Sequence, residues 1–228
     1  VEIWARSWDR MHADGRHPPY RIAVHQALIG VLNELVTGLI EQTVANIQAA
    51  KVDSVGAVQE MHSSILRVRK EKNIPFVALF GDVAASGGYY IASACDKIVA
   101  HPGTLTGSIG VILSVSNMEG LFAKVGYKMD PIKSGRHKDI GSPARSMTAE
   151  ERQILQDLID DAYGQFVSAV AEGRKMTIEE VKPLADGRIY SGNQALANKL
   201  GDQLGDSKDA LMLAAKMGGI KDEKPRVR

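Results

Sequence analysis

One cysteine, Cys95, stands in 228 residues. That excludes an intramolecular disulfide and any multi-cysteine metal site, and it fits an oxidising or a reducing compartment equally. Charge of one sign is also missing. Lys and Arg number 28 against 27 for Asp and Glu, a formal net charge of +1, so no basic field points to nucleic acid. Long hydrophobic runs are absent too. The most apolar window, HQALIGVLNELVTGLI at 25–40, is broken by Asn33 and Glu34 and falls short of the roughly 20 residues that span a bilayer. It reads as a core segment. No charged-then-apolar leader opens the chain, which as given reads as soluble, and neither an internal repeat nor a low-complexity segment interrupts it.

What is present is an ordinary globular composition, 44% hydrophobic and 24% charged, on a length that supports one sizeable core. A single domain over 1–228 is expected. Its first part, 1–19, is an amphipathic arm with Trp4, Trp8 and Met11 at helical spacing, stopped by Gly15, Pro18 and Pro19. From 20 to 145, β-branched runs alternate with helical ones: YRIAV, helical 31–50 and 57–72, IPFVALF, a helix after Ser86, DKIVA and GSIGVILSV. Such alternation predicts a layered α/β fold.

Residues 146–218 read as helical. Thr148 with Glu151 forms a capping box, and Ile154, Leu155, Leu158, Ile159, Ala162, Phe166 and Val170 continue it as one apolar stripe. Thr177 with Glu180 and Ser191 with Gln194 signal further starts, Ser207 an N-cap of a last helix ending near Gly218, and 219–228 a polar tail.

Within VALFGDVAASGGYYIASACDKIVAHPGTLTGSIGV at 77–111, Ser86 is flanked by Ala84, Ala85, Gly87 and Gly88. It falls where a buried strand hands over to a helix, a junction that presents free backbone N–H groups. Small neighbours leave room for an acyl substrate, and the Gly87 N–H suits an oxyanion. Helix capping and tight helix–sheet packing use the same residues, and both readings stand at this point. A nucleophilic serine needs a base. His12, His17, His25, His62, His101 and His137 show no spacing that nominates a triad, although one of them could meet Asp96 or Asp139 in space. A lysine is the other option when its environment favours the neutral amine. Lys138 stands out, in the turn-rich IKSGRHKDIGSP after the strand-like YKMDPI and before a capped helix.

Over about 150 residues, from near Lys72 to about Gly205, the chain resembles the signal peptide peptidase A serine proteases. AASGGYYIA, TLTGSIGV, IKSGRHKDIGSP, MTAEERQILQDLIDDAYGQFV and ADGRIYSGNQALANKLGDQLG follow one another in the family's order. The resemblance implies a Clp protease/crotonase-like layered α/β fold of repeated β-β-α units with a helical C-terminal third. It also implies a Ser/Lys dyad: Ser86 as nucleophile, Lys138 as general base, Ser108 orienting the lysine and Gly87 on the oxyanion. No metal or cofactor is implied. The implied substrates are cleaved signal peptides and other unfolded or hydrophobic peptides. The implied assembly is a homo-oligomer with active sites at subunit interfaces, held to the extracytoplasmic face of the cytoplasmic membrane by a segment absent from this chain.

The chain departs from that family in one place. Members carry a hydrophobic strand ending in an SPGG-like loop, whose glycine N–H completes the oxyanion hole. Here AAKVDSVGAVQEMHSSI at 49–65 runs from the aspartate directly into a helix, leaving Gly56 to supply it, and 24–31 lacks the matching strand and turn. Loss of a central strand would leave buried backbone groups unpaired, at about 1–3 kcal/mol each, so residues missing from the sequence at this place explain the gap better. Two rivals share the fold: a catalytically inactive peptide-binding scaffold, and a crotonase-type acyl-thioester enzyme, which would not need Lys138.

Overall fold

The computed structural model describes residues 53–220. The arm at 1–19, YRIAV, the segments at 25–40 and 31–50, and 221–228 lie outside the described residues. In chain order the elements are α1 (Asp53–Lys72), β1 (Val77–Phe80), β2 (Val83–Ala85), α2 (Gly87–Ser93), β3 (Lys97–Ala100), β4 (Leu105–Gly107) and α3 (Glu119–Lys124). There follow α4 (Ala149–Arg174), α5 (Ile178–Val181) with a 3-10 turn at Lys182–Leu184, β5 (Ile189–Ser191), α6 (Gly192–Ala197), β6 (Gln203–Leu204) and α7 (Ser207–Met217).

The first sheet has the order β1-β3-β6 and is parallel throughout, with Val77 opposite Lys97 and Phe80 opposite Ala100. Because strand side chains alternate, its two faces pack on different helices. Phe80, Ile98 and Ala100 join Tyr89 of α2 and Phe166 and Val170 of α4 in the main core. Val77, Val99 and Leu79 meet Ala210, Leu213 and Ala214 of α7 on the other face. Ile65, Phe76, Ile91, Ala94 and Cys95 then fasten α1 to α2. The result is the layered α/β arrangement the alternation predicts.

A second sheet, β2-β4-β5, was not legible in the alternation, since its strands have three residues each. β2 runs parallel to β4, with Ala85 opposite Gly107, and β5 antiparallel to it, with Ile189 opposite Gly107. GSIGVILSV is not the strand it was expected to be: pairing ends at Gly107 because Ser108 turns to φ 48°. YKMDPI is likewise irregular and exposed among the described residues.

The helical C-terminal third holds, with β5 and β6 added as short strands. Thr148/Glu151, Thr177/Glu180 and Ser191/Gln194 are all reciprocal capping boxes. The last helix is capped by Asp206 rather than Ser207: the Asp206 carboxylate accepts from the Lys208 and Asp209 N–H groups, which a serine in the first helical position cannot do. The α4 stripe is divided. Phe166 and Val170 are buried while Ile154 and Leu158 are exposed, because the core reaches only the second half of the helix.

Ile98 is fully buried between α2 and α4. Ile98→Ala is expected to cost about 2–5 kcal/mol in a denaturant titration, whereas Leu158→Ala on the exposed half of α4 stays within about 0.5 kcal/mol.

Candidate active site

Ser86 follows β2 and precedes the first residue of α2, in a backbone conformation of φ 52° and ψ −119°. A side chain rarely occupies that region, which costs on the order of 1–3 kcal/mol and persists only where neighbours enforce it. Two bonds do so: the Ser86 N–H donates to the Gly107 carbonyl at 2.8 Å, and the Ser86 carbonyl accepts from the Tyr90 N–H at 2.9 Å. The side chain is exposed and makes no capping bond to the helix. Capping therefore does not account for Ser86. Packing does account for Gly87, where a Cβ would lie 2.9 Å from Val58 Cγ2, but not for Gly88, which faces open space. The first-turn N–H groups of α2, which directly follow Ser86 in the chain, have no acceptor within the helix.

Ser108 follows Gly107, so the β2–β4 register brings it beside Ser86. It is half-buried, with φ 48°, and its N–H donates to the Arg188 carbonyl at 2.8 Å. Gly107 itself, at φ 77°, lies against the Tyr190 ring, where a Cβ would stand 2.5 Å from Cδ2. Tyr190 is buried and its hydroxyl donates to the Leu184 carbonyl at 3.0 Å. Two left-handed serines thus sit on neighbouring strand ends, each held through its backbone.

Gly56 lies exposed in the first turn of α1. Val58, two residues on, touches the Gly87 position, so the N-terminal end of this helix is close to the start of α2.

Lys138 is exposed on a turn in which its N–H donates to the Gly135 carbonyl at 3.1 Å. Its amine forms no hydrogen bond to Ser86 or Ser108 among the described residues; the two serines follow the paired residues Ala85 and Gly107 on adjacent strands. The histidine alternatives fare worse. Asp96 is occupied by Arg69 and by the Phe76 N–H at 2.8 Å, and Asp139 by Arg145 and Lys133. His62 packs edge-on against Tyr90, 5.0 Å between ring centres, and its burial favours the neutral ring despite nearby Glu172. His137 contacts Glu150 at 3.3 Å. His12, His17 and His25 lie outside the described residues. Cys95 is not a competing nucleophile, because burial pushes its thiol up to about 12.

Sequence reasoning missed Val58, Gly107 and Tyr190 as supports of the serine. The available signal was the glycine directly before Ser108, which a positive φ requires. Gly107→Ala is expected to displace the carbonyl that holds Ser86 and to cost about 1–3 kcal/mol of stability, with far-UV circular dichroism retained; a denaturant titration measures it.

The profile of peptidase family S49 matches residues 68–221. The chain is 47% identical over 192 residues to a putative protease of Synechocystis sp. (strain ATCC 27184 / PCC 6803 / Kazusa), covering 78% of this chain and 69% of that one. It is 50% identical over 142 residues to a putative signal peptide peptidase SppA of Enterococcus faecium, covering 62% of this chain and 41% of that protein. Among solved structures, the 1510-N membrane-bound stomatin-specific protease is similar at 16% identity and a TM-score of 0.40, with 68% and 61% of the two chains covered. That likeness is too distant to bear on chemistry. The family match and the cyanobacterial relative decide the assignment: the chain belongs to peptidase family S49 and is, by that membership, a serine protease.

Proposed function

We propose that the chain is an endopeptidase in which Ser86 is the nucleophile and Lys138 the general base. The observation that carries this reading is the backbone of Ser86, held at φ 52° with its side chain exposed and uncommitted to capping. Strain of this kind is retained where a side chain must be aimed at a ligand.

In this mechanism the neutral Lys138 amine takes the Ser86 hydroxyl proton as Oγ bonds to the scissile carbonyl carbon. The carbonyl electron pair moves to oxygen, where the Gly87 N–H and a second donor, with Gly56 as candidate, stabilise it. Collapse expels the peptide amine, which leaves with the proton now on Lys138. Water then attacks the acyl-enzyme, again giving its proton to the amine, and Oγ departs as the hydroxyl. Each oxyanion donor is typically worth about 3 kcal/mol of the barrier. Ser108, beside Ser86, is the residue we assign to aim the flexible amine.

The substrate class is cleaved signal peptides and other unfolded or hydrophobic peptides, in keeping with the name of the Enterococcus relative. Assembly into a homo-oligomer with active sites at subunit interfaces would bring Lys138 to a serine and cover a run of exposed apolar side chains, among them Ile112, Leu121, Val125 and Ile132. Association with the extracytoplasmic face of the cytoplasmic membrane belongs to the same reading; among the described residues no helix is long and apolar enough to cross a membrane.

The test is hydrolysis of a fluorogenic peptide by the assembled wild type, Ser86→Ala and Lys138→Ala over a pH series. Both substitutions are expected to lower kcat by at least about 1,000-fold, and wild-type kcat/KM to rise with pH as one amine loses its proton. Full activity in Lys138→Ala would favour an acyl-transfer site of the crotonase type, and an inert, sequence-verified oligomer would favour a binding scaffold.

A further inference from the structure

We propose that Arg145 is a positioning residue for the Lys138 base, tying the carboxylate of Asp139, the next residue along the chain, to the carboxylate of Glu151 in the first turn of α4. The inference rests on the assignment of Lys138 made above.

Arg145 holds both carboxylates with a forked pair of bonds. Its Nε and Nη2 donate to Asp139 Oδ2 and Oδ1 at 3.0 and 2.9 Å, and its Nη1 and Nη2 donate to Glu151 Oε2 and Oε1 at 2.8 and 2.5 Å. Glu151 is an anchor rather than a surface charge: it is 2% exposed, and its Oε2 also accepts from the Thr148 N–H at 3.0 Å. On the other side Lys133 Nζ donates to Asp139 Oδ1 at 2.5 Å and to the Arg136 carbonyl at 3.3 Å.

Between these holds the backbone is wound into successive turns, with bonds from Lys138 N–H to the Gly135 carbonyl, Ile140 N–H to the His137 carbonyl and Ser142 N–H to the Asp139 carbonyl. Lys138 is exposed on this framework, with no side-chain bond of its own among the described residues. A flexible amine with no partner is placed only as well as its Cα is placed.

The clamp also has an electrostatic consequence. A carboxylate adjacent to a lysine stabilises the ammonium form and so opposes a base. Hydrogen bonds from Arg145 and then Lys133 hold the Asp139 carboxyl well below the usual carboxylate range, so its charge is spent on those two cations. Arg136 is paired with Glu150, whose other carboxylate oxygen lies 3.3 Å from His137 Nε2. Loss of Arg145 leaves Asp139 with Lys133 alone and free to pair with Lys138.

The experiment compares wild type, Arg145→Lys, Arg145→Gln, Asp139→Asn and Lys138→Ala as assembled oligomers. Active sites are titrated with a fluorophosphonate, and kcat and KM are measured from neutral to alkaline pH. Arg145→Gln is expected to lose about tenfold or more in kcat per titrated site, to keep KM within about twofold, and to shift the rising limb of the pH profile to higher pH. Arg145→Lys, which keeps the charge but not the fork, should fall between it and wild type.

A variant that is merely less heat-stable, with normalised kcat and pH profile unchanged, would overturn the proposal. If Arg145→Gln does not assemble, Asp139→Asn decides instead: it keeps the Arg145–Glu151 pair, is expected to lower kcat about tenfold without an alkaline shift, and contradicts the proposal if kcat is unchanged. Unimpaired Lys138→Ala would remove the base assignment itself, an outcome separate from failure of the Arg145 variants alone.

Discussion

The bond from the Ser86 N–H to the Gly107 carbonyl, 2.8 Å long, is the contact on which the rest of the site depends. It closes the β2–β4 ladder one residue beyond the last strand pair and keeps Ser86 in a conformation it would not otherwise adopt. The acceptor is fixed in turn by the Tyr190 ring beneath Gly107 and by the Arg188 carbonyl that takes the Ser108 N–H. Strain at one serine is therefore balanced by contacts from β4, β5 and α2.

The layered α/β class was legible because IPFVALF and DKIVA are apolar enough to be buried on both faces, as parallel strands are. Reciprocal capping boxes were legible for a similarly local reason: a hydroxyl and a carboxylate or amide three residues apart can satisfy each other's backbone. The second sheet was not. Its pairing brings together residues 83–85, 105–107 and 189–191, a long-range association with too few residues per strand to show a period. Where Ile154 and Leu158 looked like core, the helix simply outruns the sheet it packs on, so the stripe continues past the buried surface.

At the site, Ser86 could be singled out because its small neighbours are a local signal. Its companion Ser108 came from the family resemblance, and each of the two serines follows a residue of the last β2–β4 pair. The contribution of Val58 and Tyr190 is steric and arises from long-range contacts with Gly87 and Gly107, so no spacing rule reports it. Lys138 is the converse case: the turn-rich sequence indicates where it lies, yet its amine has no bonded neighbour among the described residues, and a second copy of the chain is the partner our reading requires.

The most direct measurement is to trap the acyl-enzyme with a slowly hydrolysed peptide ester and map the adduct by mass spectrometry of proteolytic fragments. The account predicts one adduct, on Ser86, formed by wild type and not by Lys138→Ala at the same pH. Peptide hydrolysis with the adduct on another residue, or with no serine adduct under conditions that trap a known acyl-enzyme, would contradict it.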